Sequence, residues 1–84
     1  MDNSIFKGAE LIKTLQGIEK STDPIYEKQE SVRKVIAKIA MKKGLKGLKK
    51  AKKLVEHNYF SSNMKSILDY TIHIYKEKLK ELDV

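Results

Sequence analysis

Apolar residues recur at helical spacing along nearly the whole chain, and few residues interrupt that pattern. Only one proline and four glycines occur among 84 residues. Because proline and glycine are the strongest local breakers of regular structure, their scarcity leaves room for long helices. We therefore predict an all-α fold. A chain of this length is sufficient for one small domain, which we assign to residues 1–84.

Four helices are predicted from the apolar spacing and the turn residues. The first runs from Asn3 to Lys20, and the second from Pro24 to Lys43, with Asp23 as its cap. Gly44 suits the position just past a helix end. A short third helix then spans Leu45 to Tyr59, and a last helix, capped by Ser61 or Ser62, ends at Leu82.

Helices joined by such short turns are expected to form an antiparallel four-helix bundle. The alternative is a three-helix bundle with a long bent middle helix, in which residues 45–59 continue the second helix. The wide apolar face of the last helix also makes a homodimer conceivable, so the oligomeric state stays open.

Positive charge is concentrated in the middle of the chain. Residues 31–55 contain ten Lys and Arg and no acid, whereas the rest of the chain has eight cations against eleven acids. Six lysines in this block are our candidates for binding an anion, a membrane or a partner: Lys42, Lys43, Lys46, Lys49, Lys50 and Lys53. Such a block attracts nucleic-acid phosphates, anionic lipids or acidic proteins.

The segment Lys42 to Val55 alternates leucines with lysine pairs, which is typical of helices that lie on anionic membranes. The competing interpretation is that the leucines are core and the lysines a solvated face. Nucleic acid is the main alternative partner. Arg33 is the single arginine, so base-specific contacts of the kind that arginine makes with guanine are scarce. The aromatic residues, which could stack on bases, lie outside the lysine block. A nucleic-acid role would therefore rest on contacts with phosphates, as in a small phage or plasmid regulator.

Catalysis has little support in the sequence. His57 and His73 lack the spacing of a zinc site, although Asp69 lies one helical turn before His73 and could contact it. There is no cysteine. Ser61 and Ser62 stand near His57 without an acid that would orient it. We predict a non-enzymatic protein with no catalytic residue, metal ligand or cofactor.

A resemblance to a known family rests on a few local features. The first predicted helix ends in IEKSTDP, Pro24-Ile25-Tyr26 opens the second, and a Lys-Gly turn precedes two more helices. In these features the chain resembles the enterocin A-type immunity proteins, which protect bacteria from class IIa bacteriocins. The resemblance implies an antiparallel four-helix bundle without catalytic residues. It also implies action at the inner membrane face, with the mannose phosphotransferase permease and its bound bacteriocin as partner.

The expected function is therefore bacteriocin immunity. The lysines would dock on anionic lipid or a membrane protein, and Tyr70, His73 and Tyr75 on the last helix would supply specific contacts. The amino terminus lacks the apolar core of a secretory signal, and no apolar stretch approaches the roughly 20 residues that span a bilayer. We therefore expect a cytoplasmic protein that binds peripherally at the membrane.

Overall fold

The computed structural model describes residues 8–82, which form three α-helices: α1 (Gly8–Lys20), α2 (Ile25–Glu56) and α3 (Ser62–Leu82). No strand occurs among these residues, so the all-α prediction is confirmed for this part of the chain. The predicted start of the first helix at Asn3 lies outside the described residues.

The start of α2 differs from the prediction. Pro24, not Asp23, is the residue before the helix, and it provides no side-chain cap. Its carbonyl instead accepts hydrogen bonds from the backbone N–H groups of Glu27 and Lys28, at 3.0 and 3.1 Å. Asp23 therefore stands one residue too early for the expected capping role.

One residue bends α2. The helix has 32 residues, which would extend about 48 Å if straight, yet the longest dimension of the molecule is 40 Å. Only Gly44 leaves helical geometry, with φ 65° and ψ −154°. We call residues 25–43 the first arm of α2 and residues 45–56 the second arm.

This bend corrects the predicted four-helix bundle. The second and third predicted helices are joined through Gly44 without a loop, so the structure has three helices and confirms the alternative with a long bent middle helix. The backbone conformation of Gly44 is almost restricted to glycine.

Gly47 lies where the two arms of α2 come close together. A Cβ added at Gly47 would lie 2.2 Å from the Lys43 Cβ and 3.1 Å from Ile39 Cγ2. The bend therefore brings the arms too close for a side chain at Gly47.

All three helices contribute to one hydrophobic core, and so does the α2–α3 connection through Phe60. The buried apolar residues are Leu11, Ile12, Leu15, Val32, Ile36, Ile39, Ala40, Leu48, Ala51, Val55, Phe60, Met64, Leu68 and Ile72. Two large apolar residues, Ile25 and Leu82, are exposed. Each is the terminal residue of its helix, where the neighbouring helices no longer cover it.

Glu19, near the end of α1, ties together one end of the molecule. Its carboxylate Oε2 accepts a hydrogen bond from the Ser61 backbone N–H at 2.6 Å, and its carbonyl accepts one from Lys28 Nζ at 2.8 Å. The Ser61 hydroxyl in turn accepts the Met64 N–H at 3.2 Å, which confirms the predicted cap of α3.

The opposite end contains the bend and the end of α3. Gly44 and Leu45 line a shallow groove there together with Leu79 and Leu82. Since the first arm of α2 and α3 both start beside Glu19 and both end near this groove, they run in the same direction. That arrangement sets which residues of the two helices face each other.

The bend gives a direct test of the fold. Gly44→Ala should lower the free energy of unfolding by about 1–3 kcal/mol, because alanine disfavours this backbone conformation. Gly17→Ala is the matched control: Gly17 lies inside α1 with nothing within 4 Å of the added Cβ, so this change should raise stability by up to about 1 kcal/mol. Urea denaturation followed by circular dichroism measures both. Equal effects of the two changes would contradict the role given to Gly44.

Candidate anion-binding surface

The six candidate lysines lie around the bend and along the second arm of α2, and all six are exposed. We call this set, Lys42, Lys43, Lys46, Lys49, Lys50 and Lys53, the lysine face. Its last four members are spaced i, i+3, i+4 and i+7, which places them on one side of the helix. The first two end the first arm, four and three residues before Lys46, so they lie at the same end of the molecule as Lys46.

The apolar side of the second arm is used inside the protein. Leu48 is fully buried, and Ala51 and Val55 are buried almost as completely. Leu54 is partly buried against the core. These residues therefore cannot serve as an apolar face for lipid while the protein is folded. The structure fits the interpretation in which the leucines of this segment are core and its lysines are solvated.

Lys52, on the same arm but outside the lysine face, forms ion pairs. Its Nζ is 3.7 Å from Glu56 Oε2 and 3.7 Å from Asp69 Oδ1 on α3. By contrast, five members of the lysine face form no ion pair with any residue of the described range 8–82: Lys42, Lys46, Lys49, Lys50 and Lys53. The fold therefore partly neutralises the lysine that points towards α3 and leaves these five charges without an ion pair in that range.

A groove runs beside the lysine face where α1 packs on α2, with a volume of about 310 Å³. Apolar side chains of Leu11, Ile39 and Leu54 line it, and Lys43, Lys46 and Lys50 border it. Lysines around an apolar depression suit a ligand that has an anionic head beside an apolar part.

Tyr70 and Tyr75, two of the three predicted specificity contacts, line a larger groove between the first arm of α2 and α3. We call it the tyrosine groove. Its volume is about 630 Å³, and its lining residues are Tyr26, Glu27, Gln29, Glu30, Arg33, Ile67, Tyr70, Thr71, Ile74, Tyr75 and Lys78. His73 is exposed and is not among them. The tyrosine groove contains no residue of the lysine face, so the two sets of candidate residues occupy separate surfaces.

Sequence reasoning missed the α2 side of the tyrosine groove. Tyr26, Glu30 and Arg33 are spaced i, i+4 and i+7 along the first arm. This spacing marks one helix face, but it does not reveal that α3 lies next to that face. The parallel placement of the two helices supplies that information.

Arg33 and Glu30 form an ion pair at the edge of the tyrosine groove. Arg33 Nε donates to Glu30 Oε1 at 2.9 Å, and Nη2 contacts the same oxygen. The hydrogen bond from Arg33 holds the pKa of Glu30 below its usual value, with the charge of Lys34 adding to the effect. Glu30 first, and then Tyr75, raise the pKa of Arg33 above its ordinary range.

The remaining predicted contacts have other partners. Asp69 pairs with Lys52 on α2, and the contact with His73 that the spacing allowed does not form among residues 8–82. His57 Nδ1 lies 2.8 Å from the Lys53 carbonyl at the end of α2. Within residues 8–82, no three His, Asp or Glu side chains come together in a way that could hold a metal ion. The non-enzymatic assignment stays a prediction.

Length and hydropathy together distinguish a helix that spans a membrane. No helix among the described residues combines the length and the apolar character needed to traverse a bilayer.

Comparisons with known proteins add no relative of this chain. No protein-family model, no curated protein and no solved structure matches it.

Leu48 tests whether the leucines of the lysine-rich segment are core. Leu48→Ala should lower the free energy of unfolding by about 2–5 kcal/mol, because the buried side chain leaves a cavity. Lys49→Ala, the adjacent exposed position, should change it by less than about 0.5 kcal/mol. Chemical denaturation of both variants gives the comparison. A neutral Leu48→Ala would mean that the second arm does not pack as described.

The titration of Glu30 tests the ion pair. Because its pKa is lowered in the folded state, the pair adds stability above the unfolded pKa, and that contribution is lost as pH falls through the folded pKa. Its size is small, since both side chains are about half exposed. In Arg33→Gln, we expect the Glu30 pKa to rise towards its ordinary value, as measured by NMR titration of the side-chain carboxyl carbons. An unchanged titration would exclude Arg33 as the cause.

Proposed function

We propose that this protein is a non-enzymatic, immunity-like interaction protein that binds at the cytosolic face of a membrane, on anionic lipid or on a membrane protein exposed there. The observation that carries the proposal is the lysine face: outward lysines on a bent helix, five of them without an ion pair among residues 8–82. Each basic residue near an anionic leaflet contributes about 1 kcal/mol of attraction.

Exposed apolar side chains near the bend support a membrane surface over a purely electrostatic partner. Met41, one residue before Lys42, is 82% exposed, and Leu82 is exposed to the same extent beside Gly44 and Leu45. An apolar side chain surrounded by lysines gains from contact with the boundary between headgroups and acyl chains. Phosphates of a nucleic acid offer the lysines a partner but offer Met41 none.

The resemblance to the enterocin A-type immunity proteins makes the proposal more specific. It suggests protection against a class IIa bacteriocin at a sugar permease, with His73, which is exposed outside the tyrosine groove, as a candidate for specific contact. Bacteriocin protection can be tested in a sensitive bacterial strain that expresses the full chain. Survival of cells with the wild-type protein, compared with an empty vector, would support this role, and equal killing would exclude it.

Membrane binding is tested by a matched pair of variants. We replace Lys46, Lys49, Lys50 and Lys53 by Gln in one protein, and Lys13, Lys20, Lys65 and Lys80 by Gln in the other. Both lose four charges from the formal +7 of the chain. The first should bind anionic liposomes about a thousandfold more weakly than the wild type, since four contributions of about 1 kcal/mol are lost. The second should bind nearly as the wild type does.

Sedimentation with anionic and with neutral liposomes, and in parallel with random-sequence duplex DNA, gives the readout. Circular dichroism confirms that both variants keep their helicity. Wild-type protein that pellets with DNA and not with anionic liposomes would replace the proposal by the nucleic-acid alternative. Equal loss of liposome binding in both variants would show that net charge, not the lysine face, drives association.

A further inference from the structure

We propose that the tyrosine groove is the interface of a two-fold symmetric homodimer. The groove has a volume of about 630 Å³, and two isoleucines, Ile67 and Ile74, line it together with its tyrosines. Two of those tyrosines protrude: Tyr26 is 67% exposed and Tyr70 is 68% exposed. One surface therefore provides both an apolar depression and the large rings that would fill one, which is the self-complementarity that a two-fold interface requires.

Charge along the groove supports a second copy as the occupant. Glu27 lies near the start of the first arm of α2, and Lys78 lies near the end of α3. Because the two helices run in the same direction, these residues stand at opposite ends of the groove. A two-fold axis through the middle would place each Glu27 beside the Lys78 of the other copy.

These two charges at the ends of the groove lack an ionic partner among the described residues. Neither Glu27 nor Lys78 forms an ion pair with any residue of the described range 8–82. The Lys78 ammonium lies 5.4 Å from the centre of the Tyr75 ring, at the edge of the groove. Between the two ends, Glu30 and Arg33 neutralise each other. The groove therefore has one unpaired charge of each sign at its ends, and the antiparallel pairing of two copies satisfies both.

The aromatic content also suits a protein interface. Tyrosine and arginine are enriched at protein interfaces, where a ring supplies contact area with little loss of side-chain freedom. The dimer would leave the lysine face open, because no lysine of that face lines the groove. Two copies would present two lysine faces, but the dimer does not depend on what those faces bind.

Sedimentation equilibrium of the full chain tests the dimer. The patch is small, so we expect a dissociation constant in the micromolar range. A protein that stays monomeric up to about 300 μM, where micromolar affinity requires dimers, would overturn the proposal and leave the groove to a different partner.

Charge exchange tests the geometry. Glu27→Lys and Lys78→Glu should each weaken the dimer at least about tenfold, because each creates two like-charge contacts across the axis. The combined variant, Glu27→Lys with Lys78→Glu, should recover the wild-type dissociation constant to within about threefold, because both contacts are restored with reversed sign. Single variants without effect, or a double variant that is no better than the singles, would overturn the pairing.

Tyr70→Ser tests the apolar part of the interface, with Tyr59→Ser as its control. Both tyrosines are largely exposed, but Tyr59 lies in the segment of chain that connects the end of α2 to the start of α3, and it does not line the groove. We expect Tyr70→Ser to weaken the dimer at least about tenfold, as for an interface hot spot, and Tyr59→Ser to leave it unchanged. Circular dichroism checks that both variants keep the wild-type helicity. Dimerisation that survives Tyr70→Ser would move the interface to another face.

Discussion

The backbone turn at Gly44 determines how the rest of the structure is arranged. It divides a 32-residue helix into two arms within a molecule 40 Å long, and the close approach at Gly47 packs the arms against each other. Without the turn, Leu48, Ala51 and Val55 would continue along a straight helix, away from the core that they complete. The turn also sets the direction of the second arm, and with it the side of the molecule on which Lys49, Lys50 and Lys53 are exposed.

The second arm shows how one amphipathic pattern fits two physical situations. A helix with alternating leucines and lysines gains free energy by burying its leucines, and either a lipid boundary or a protein core can provide that burial. Here the core does so, and Leu48 is fully buried. The lysines keep their hydration and their long-range attraction for anions. A membrane role therefore depends on the lysines and on exposed side chains such as Met41, and not on the leucine stripe.

The two candidate surfaces differ in physical character. The lysine face is an accumulation of one charge sign, which attracts any anionic surface over a distance set by ionic strength. The tyrosine groove has balanced charge and aromatic walls, so association there would depend on shape and short-range contact. Because the two surfaces are separate, two copies could pair through the groove while their lysine faces stay open to an anionic layer, as we propose.

The sequence by itself determined the helical class, a cap of α3 at Ser61 or Ser62 and the outward position of the lysines, because spacing, hydroxyl capping and charge hydration act over a few residues. The packed structure selects Ser61 as the cap. It could not decide between a loop and a bend at Gly44, since glycine is suited to both. It predicted Tyr70 and Tyr75 as contacts, but not that Tyr26, Glu30 and Arg33 would share their groove. Nor could it show that Asp69 pairs with Lys52 and not with His73. Those outcomes depend on which helices become neighbours, and only the packing of the whole core decides that.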